Sequence, residues 1–326
     1  MKTLLQFVLV LLLLVPLAAC AGGDDGVLRI AIIMPSAKTD VAFSQSMFDA
    51  VKSIQAEMGG EEAVVIASQE GLFRAPDATE AMRQYADDGF DLVIAHGSQY
   101  GTPISEVAPD YPNTTFAWGT GVDTFDLPNV SAYKANAEEG GYVNGVLAAL
   151  MTQSNVIGVT GPVEAGDAKL YVDGFINGVK SINPDTQVNV IYTGSFSDNN
   201  LMAEAANNHI AAGADILTGS SQSVVGAINA AQEQGGVFWF GTQAEQTSLA
   251  PDVVVASQVY DWTGILKDII EKHQAGTLGG ETYTITLEND GLKVSYNPDA
   301  SVPDDVKNVA DNAINGIKDG SINPLP

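Results

Sequence analysis

Cysteine is almost absent. The one cysteine in 326 residues is Cys20, so no disulfide can form within the chain and the fold must rest on its packed core. Basic residues are scarce: 14 lysines and arginines stand against 40 aspartates and glutamates, a formal net charge of −26. This argues against nucleic acid as a partner, which needs a basic footprint. It also argues against electrostatic docking on anionic lipid. The acidic excess is spread along the chain, where it favours solubility. The three histidines, His96, His209 and His273, have no metal-ligand spacing. The glycine-serine stretches at 97–101 and 219–221 do not form G-x-S-x-G. Gly119-Thr-Gly121 lacks the third glycine of a dinucleotide fingerprint, and no phosphate-loop lysine follows a glycine cluster. No catalytic residue, metal or cofactor is therefore expected. His96, at the carboxyl end of a strand, is read as a structural or ligand-lining group.

What is present begins at the N-terminus. Lys2 precedes a run at 4–15 that is apolar apart from Gln6 and leads through Pro16 to Leu17-Ala-Ala-Cys20. The run suits a signal-peptide core and is too short for a spanning helix of roughly 20 residues. A lone cysteine directly after Leu-Ala-Ala resembles the lipobox of bacterial lipoproteins. On that reading 1–19 is a signal peptide, Cys20 is the acylated first residue of the mature chain, and 20–26 is a tether. The domain is then expected outside the cytoplasm, on a membrane surface.

The remaining length, about 300 residues, is enough for two domains. Strand-like runs at 27–34, 63–67, 91–95 and 115–118 alternate with helical stretches at 43–58 and 75–87. A similar rhythm restarts near Glu139. Helices are expected at 142–151, 168–182, 201–212 and 224–234, with strands at 156–160, 187–192, 216–218, 237–240 and 253–257. The segments 281–287 and 292–296 flank a polar turn and read as a hairpin, followed by a terminal helix at 302–317. Alternation of this kind, occurring twice, predicts an α/β protein of two similar lobes with parallel sheets. The expected division is 27–131 plus about 242–275 for lobe 1, and 132–241 plus about 276–326 for lobe 2.

Ligands of open α/β sheets bind just outside the carboxyl ends of strands. Those ends carry aromatic, amide and hydroxyl groups. The candidate binding residues are Asp40, Phe43 and Gln45 after the first strand, Ser98 and Tyr100 after the third, and Trp118 on the fourth. From the second half come Phe196, Ser221, Gln222, Gln243 and Asp261. Asp40 also suits a helix cap, and Trp118 also suits a sheet cap. Aromatic faces with directed hydrogen-bonding groups fit a flat heterocycle or a sugar better than an ion, and no arginine cluster awaits a phosphate.

At these residues the chain resembles the basic membrane protein family, nucleoside-binding lipoproteins of ABC importers. The resemblance runs over roughly 28–320. It is carried by Asp40-Val-Ala-Phe-Ser-Gln45, Tyr111-Pro-Asn-Thr-Thr-Phe-Ala117, Asn129-Val-Ser-Ala-Tyr133 and the glycine-rich segment 139–151. Ile157-Gly158, Phe175-Ile-Asn-Gly178, Asn183-Pro-Asp185 and Gly194-Ser-Phe-Ser-Asp198 continue it. The family implies a type I periplasmic-binding fold, two lobes joined by three crossover strands and closing on a ligand by a hinge. It implies a purine base or nucleoside as ligand, stacked between one ring from each lobe. By position those rings are Phe43 and Phe196, and Asp40 matches the family's first-loop acid. Asp40 and Gln45 would bond the ligand from one lobe and Phe196, Ser221 and Gln222 would contact it from the other, with Tyr100 and Trp118 as walls. An ABC permease is the implied partner, and a monomer is expected. The chain departs from the family at Thr102, Gln243 and Gln258. Acidic and lysine side chains usually hold the ribose hydroxyls at the last two positions, so a free base is favoured over a nucleoside. The alternatives are a ligand sensor of the same fold that signals to a receptor, and a binder of a non-purine polar molecule.

Overall fold

The computed structural model describes residues 26–326. The expected signal peptide, Cys20 and nearly all of the tether lie outside the described residues. In the first half of the chain β1 (Leu28–Ile33), β2 (Val64–Gln69), β3 (Leu92–His96), β4 (Thr115–Gly119) and β5 (Val130–Ala135) alternate with α1 (Phe43–Glu57), α2 (Ala75–Asp87) and the short α3 (Gly101–Val107). The chain then passes through α4 (Ala137–Met151) into β6 (Val156–Gly161), α5 (Gly166–Ile182), β7 (Gln187–Tyr192), α6 (Asn199–Ala211), β8 (Ile216–Gly219), α7 (Val224–Gln234), β9 (Phe238–Gln243) and β10 (Val254–Tyr260). It ends with α8 (Thr263–Gln274), β11 (Thr282–Ile285), β12 (Leu292–Tyr296) and α9 (Asp304–Lys318).

Two six-stranded sheets result, in the orders β11-β5-β4-β3-β1-β2 and β12-β10-β9-β8-β6-β7. All pairings are parallel except that of β12 with β10. Every residue of β3 is buried, and in β1 only Arg29 is partly exposed. Strands covered by helices on both faces need such continuous apolar runs. α1 buries Phe43, Met47, Val51 and Ile54, the expected face.

The pairing corrects two expectations. The segments 281–287 and 292–296 do not form a hairpin. β11 lies parallel to β5, with Thr282 opposite Ala132, whereas β12 lies antiparallel to β10, with Tyr296 opposite Ala256. The polar turn between them carries the chain from one sheet to the other. Asn289 braces it, accepting from the backbone N–H groups of Thr286 (2.9 Å) and Gly291 (3.1 Å). Glu139 of α4 accepts from the Leu287 N–H at 2.7 Å. The expected lobe boundaries shift for the same reason. β5 runs to Ala135 in the first sheet, and β11 joins it there, although the sequence places 132–135 and 282–285 in lobe 2. The end of β9 and all of β10, expected in lobe 1, belong to the second sheet. A local pattern of apolar residues defines a strand but not its neighbour. The chain thus passes between the sheets three times: after β5, after β10 and after β11.

The glycines of 139–151 have a packing reason. A Cβ on Gly145 would lie 2.1 Å from the Phe175 carbonyl oxygen, and one on Gly178 would lie 2.0 Å from that of Tyr142. The backbones of α4 and α5 therefore touch, which only glycine permits at these contacts.

Candidate ligand-binding cleft

The carboxyl ends of the parallel strands face a cleft of about 290 Å³ between the two sheets. Pro35, Phe73, Ser98, Gln99 and Thr120 line it from the loops after β1 to β4, together with Phe43 at the start of α1. Asp167 and Ala168 at the start of α5 line it from the other side, with Phe196, Ser220, Ser221, Gln222 and Gln243. No lysine or arginine is among these lining residues.

Phe43 forms an aromatic wall. Its ring stacks on His96 at a centroid distance of 3.8 Å and 13° between planes. His96 is fully buried and lies parallel to Tyr133 at 5.9 Å, with the Trp262 ring edge-on at 5.6 Å. The Phe43 carbonyl, an acceptor, lies 3.0 Å from Nε2 of His96, so Nε2 carries the hydrogen and Nδ1 accepts from the Tyr133 hydroxyl at 2.8 Å. Burial lowers the His96 pKa to about 3, against a smaller opposing effect of the Phe43 carbonyl. The imidazole is therefore neutral at physiological pH and serves as the backing of Phe43.

Phe196 enters from the other lobe and meets Phe73 at 6.1 Å and 47°. Phe73 is 55% exposed, so this pair lies at the rim and spans the two lobes. The Phe196 carbonyl accepts from the Ser221 hydroxyl at 2.8 Å and from the Gln222 N–H at 2.9 Å, which ties its loop to the end of β8. A second bridge comes from the fully buried side chain of Gln246. Gln246 donates from Nε2 to the Val41 carbonyl of the opposite lobe at 3.1 Å and to Thr242 at 2.9 Å, and accepts from the Trp239 indole at 2.8 Å. Val41 has φ +52° and Gln243 has φ +73°. Left-handed backbone at a β-branched residue and at a cleft-lining glutamine is the strain that binding sites often retain.

Several polar atoms in the cleft are buried and have no hydrogen-bond partner among the described residues: Ser220 Oγ, Gln222 Oε1, Gln243 Oε1 and Asp167 Oδ2. Buried polar atoms are nearly always satisfied, so a convergent set of free ones marks a surface made for a ligand.

Of the candidates from sequence, Phe43, Ser98, Phe196, Ser221, Gln222 and Gln243 line the cleft. Asp40, Gln45, Tyr100, Trp118 and Asp261 are not among the lining residues, and each has a local task. Asp40 accepts from the Ser36 hydroxyl (2.7 Å) and from the N–H groups of Ala42 (2.9 Å), Ser44 (3.1 Å) and Gln45 (3.1 Å), shaping the loop before α1. Burial raises its pKa, and these bonds oppose the rise. Gln45 accepts from the Val41 N–H at 3.0 Å. Tyr100 is fully buried and donates to the Leu72 carbonyl at 2.7 Å, holding the loop that carries Phe73. Trp118 is packed between Gly101 and Gly121, where a Cβ would meet its ring at 2.6 and 2.5 Å, and stacks on Phe125. Asp261 accepts from the Thr263 N–H at 3.0 Å and pairs with Lys293 at 2.7 Å. Gln258, the expected ribose position, is fully buried and satisfied by Thr242 (2.8 Å) and the Ala137 carbonyl (3.2 Å).

Sequence reasoning missed Phe73, Thr120 and Asp167. Phe73 precedes α2 after a strand end and could have been found by the same strand-end rule. Asp167 lies just before the helix expected at 168–182 and carries no local signal that separates it from other acids at helix starts. Among the described residues no group of three or more His, Cys, Asp or Glu side chains is placed to hold a metal, and no helix is long and apolar enough to cross a membrane.

Residues 27–324 match the sequence profile of the family described as ABC transporter substrate-binding protein, PnrA-like. A purine-binding protein of Brucella abortus is 31% identical over 256 residues, covering 78% of this chain and 71% of that protein. The ABC transporter nucleoside-binding protein BmpA of Lactococcus lactis is 24% identical, covering 87% of this chain and 84% of its own length. Among solved structures, a solute-binding protein of an ABC transporter system from Conexibacter woesei superposes with a TM-score of 0.76 at 26% identity, covering 92% of this chain and 98% of that one. The two parallel α/β lobes are those of the type I periplasmic-binding fold, and the chain belongs to the PnrA-like family of ABC transporter substrate-binding proteins.

Proposed function

We propose that this protein captures a purine base, or a nucleoside-like heterocycle of similar size, between its lobes and delivers it to an ABC permease. The observation that carries this reading is the pairing of a flat, backed aromatic face at Phe43 with free amide, hydroxyl and carboxyl oxygens on the opposite lobe. A volume of about 290 Å³ lies at the small end of ligand pockets, which run from roughly 300 to 1,000 Å³. With no cation in the lining, a phosphorylated ligand would lack a counter-charge. Gln243 faces the cleft while Gln258 is spent inside the second lobe, which favours a base over a nucleoside.

In this mechanism the ligand stacks on Phe43, with Phe196 and Phe73 closing over it. Gln222, Gln243 and Ser220 bond its polar edge, and Ser98 lies at the entrance. A ligand that contacts both lobes binds the closed state better than the open one, and that differential affinity drives the hinge. Asp40, Gln45 and Tyr100 act on the ligand indirectly, by shaping the loops that bear Phe43 and Phe73. Cys20 carries the lipid that keeps the protein at the outer face of the membrane. The protein acts as a monomer, without metal or cofactor and without covalent chemistry.

A thermal-shift panel of purine bases, nucleosides, pyrimidines and sugars on the chain from Ala21 onward tests the reading. A ligand at 100 times its Kd adds about 2.7 kcal/mol of stability. Stabilisation by bases is expected; stabilisation by sugars alone, or by nothing in the panel, would overturn it.

A further inference from the structure

We propose that Asp167 is the residue by which this cleft selects its ligand, its Oδ2 accepting a hydrogen bond from a ring or exocyclic N–H of the bound heterocycle. This rests on the reading of the cleft as a purine site.

The placement is specific. Gly166, at φ +57°, turns the chain into α5, and Asp167 follows in the first helical turn, on the cleft lining. An acid in the first helical turn is favoured by the helix dipole, and this carboxyl also takes a bond from its own backbone N–H. The cap residue is Ala165, which has no capping side chain, and Asp167 Oδ2 is buried without a partner. One carboxyl oxygen is therefore left free by the fold. The Thr120 hydroxyl reaches it from the other lobe and favours its ionised form, so its full surroundings exist only when the lobes are together.

The charges around it set its proton. Burial raises the Asp167 pKa most, and Glu138 of α4 adds repulsion; Lys134 of β5 and Thr120 pull the other way, leaving it at about 7. Tyr260 of β10 faces the same cluster, with its buried hydroxyl beside Thr242. A carboxyl held near neutrality is half protonated in the unliganded cleft. An N–H donor from the ligand favours the carboxylate, lowers its pKa in the complex and expels the remaining proton. Heterocycles presenting N–H at this edge are selected as the carboxyl ionises above pH 7, whereas those presenting only a lone pair need the proton retained and lose affinity as pH rises.

The sign follows. The proton must leave for the bond to form, so affinity is full above pH 7 and weakens about tenfold per unit below it, until the pKa of the complex is reached. The experiment is calorimetric titration of the intact chain with adenine and with hypoxanthine from pH 5.5 to 8.5, repeated in buffers of different ionisation enthalpy. Wild type should lose at least tenfold in affinity between pH 8 and 5.5 and release about half a proton at pH 7. Asp167→Asn keeps an acceptor and the shape, and should bind with a flat pH profile and no proton release. Asp167→Ala should lose at least tenfold at pH 8. Tight binding by wild type with a flat profile and no proton release would overturn the assignment and leave the purine reading standing. Failure of wild type to bind any purine base at any pH would overturn both.

Discussion

Replacing Phe43 with leucine separates the two jobs of that ring. Phe43 is 7% exposed and lies 3.8 Å above His96, so truncation to alanine would open a cavity and cost about 3–5 kcal/mol of fold stability. Leucine fills most of that volume, and swaps of this kind usually cost less than about 1.5 kcal/mol. The Phe43 carbonyl still accepts from His96 Nε2, because that bond involves backbone only. What leucine removes is the flat face. Base-on-aromatic stacking is worth about 1–3 kcal/mol, so Phe43→Leu should weaken purine binding by roughly 5- to 150-fold. His96, with a pKa of about 3, stays neutral throughout the range from pH 5 to 8, so the loss should not vary through titration of that ring. The assay is calorimetric titration with adenine at pH 8, beside a urea denaturation curve for the same variant. Phe73, at the exposed rim, is the internal control: Phe73→Leu should cost less than Phe43→Leu. Wild-type affinity in a Phe43→Leu protein of normal stability would refute the stacking role.

His96 also makes the fold acid-sensitive. Its folded pKa lies below the unfolded value of about 6.5, so the stability it holds is complete above pH 6.5 and is lost as pH falls toward 3, by roughly 5 kcal/mol at the lower end. Unfolding free energies of wild type and His96→Gln across that window should converge as pH drops. Gly145→Ala would drive a methyl to 2.1 Å from the Phe175 carbonyl and force α4 and α5 apart, at a cost of about 1–3 kcal/mol or more, seen as a lower urea midpoint. Gln246→Leu leaves the Trp239 N–H and the Val41 and Thr242 carbonyls without their buried partner; a loss of several kcal/mol is expected by denaturation, since each orphaned group costs about 1–3 kcal/mol. Cys20→Ser should move the expressed protein from the membrane fraction to the soluble one; retention in the membrane fraction would remove the lipid-anchor proposal.

The sheet strands other than β5, and most helices, were legible because each is a local pattern. The run at 91–95 could only be a buried strand, and α2 begins and ends where its periodicity predicts. Strand ends named Phe43, Ser98, Phe196, Ser221, Gln222 and Gln243 because parallel sheets aim those ends at one place. The same rule could not say which way a side chain turns. Asp40 and Trp118 stand at correct addresses, yet Asp40 is occupied by its own loop and Trp118 by two glycines.

The chain alone therefore determined the class of fold, since alternating apolar periods leave few other ways to bury themselves. Only the tertiary structure decided the partners of β11 and β12 and the lobe to which β10 belongs. Pairing between strands far apart in sequence depends on which edges remain free after the sheets form. Tertiary structure also decided which carboxyl meets the ligand cleft. The sequence shows Asp40 and Asp167 as similar acids at helix starts; hydrogen bonds satisfy the first, and burial between two lobes leaves the second with a free oxygen.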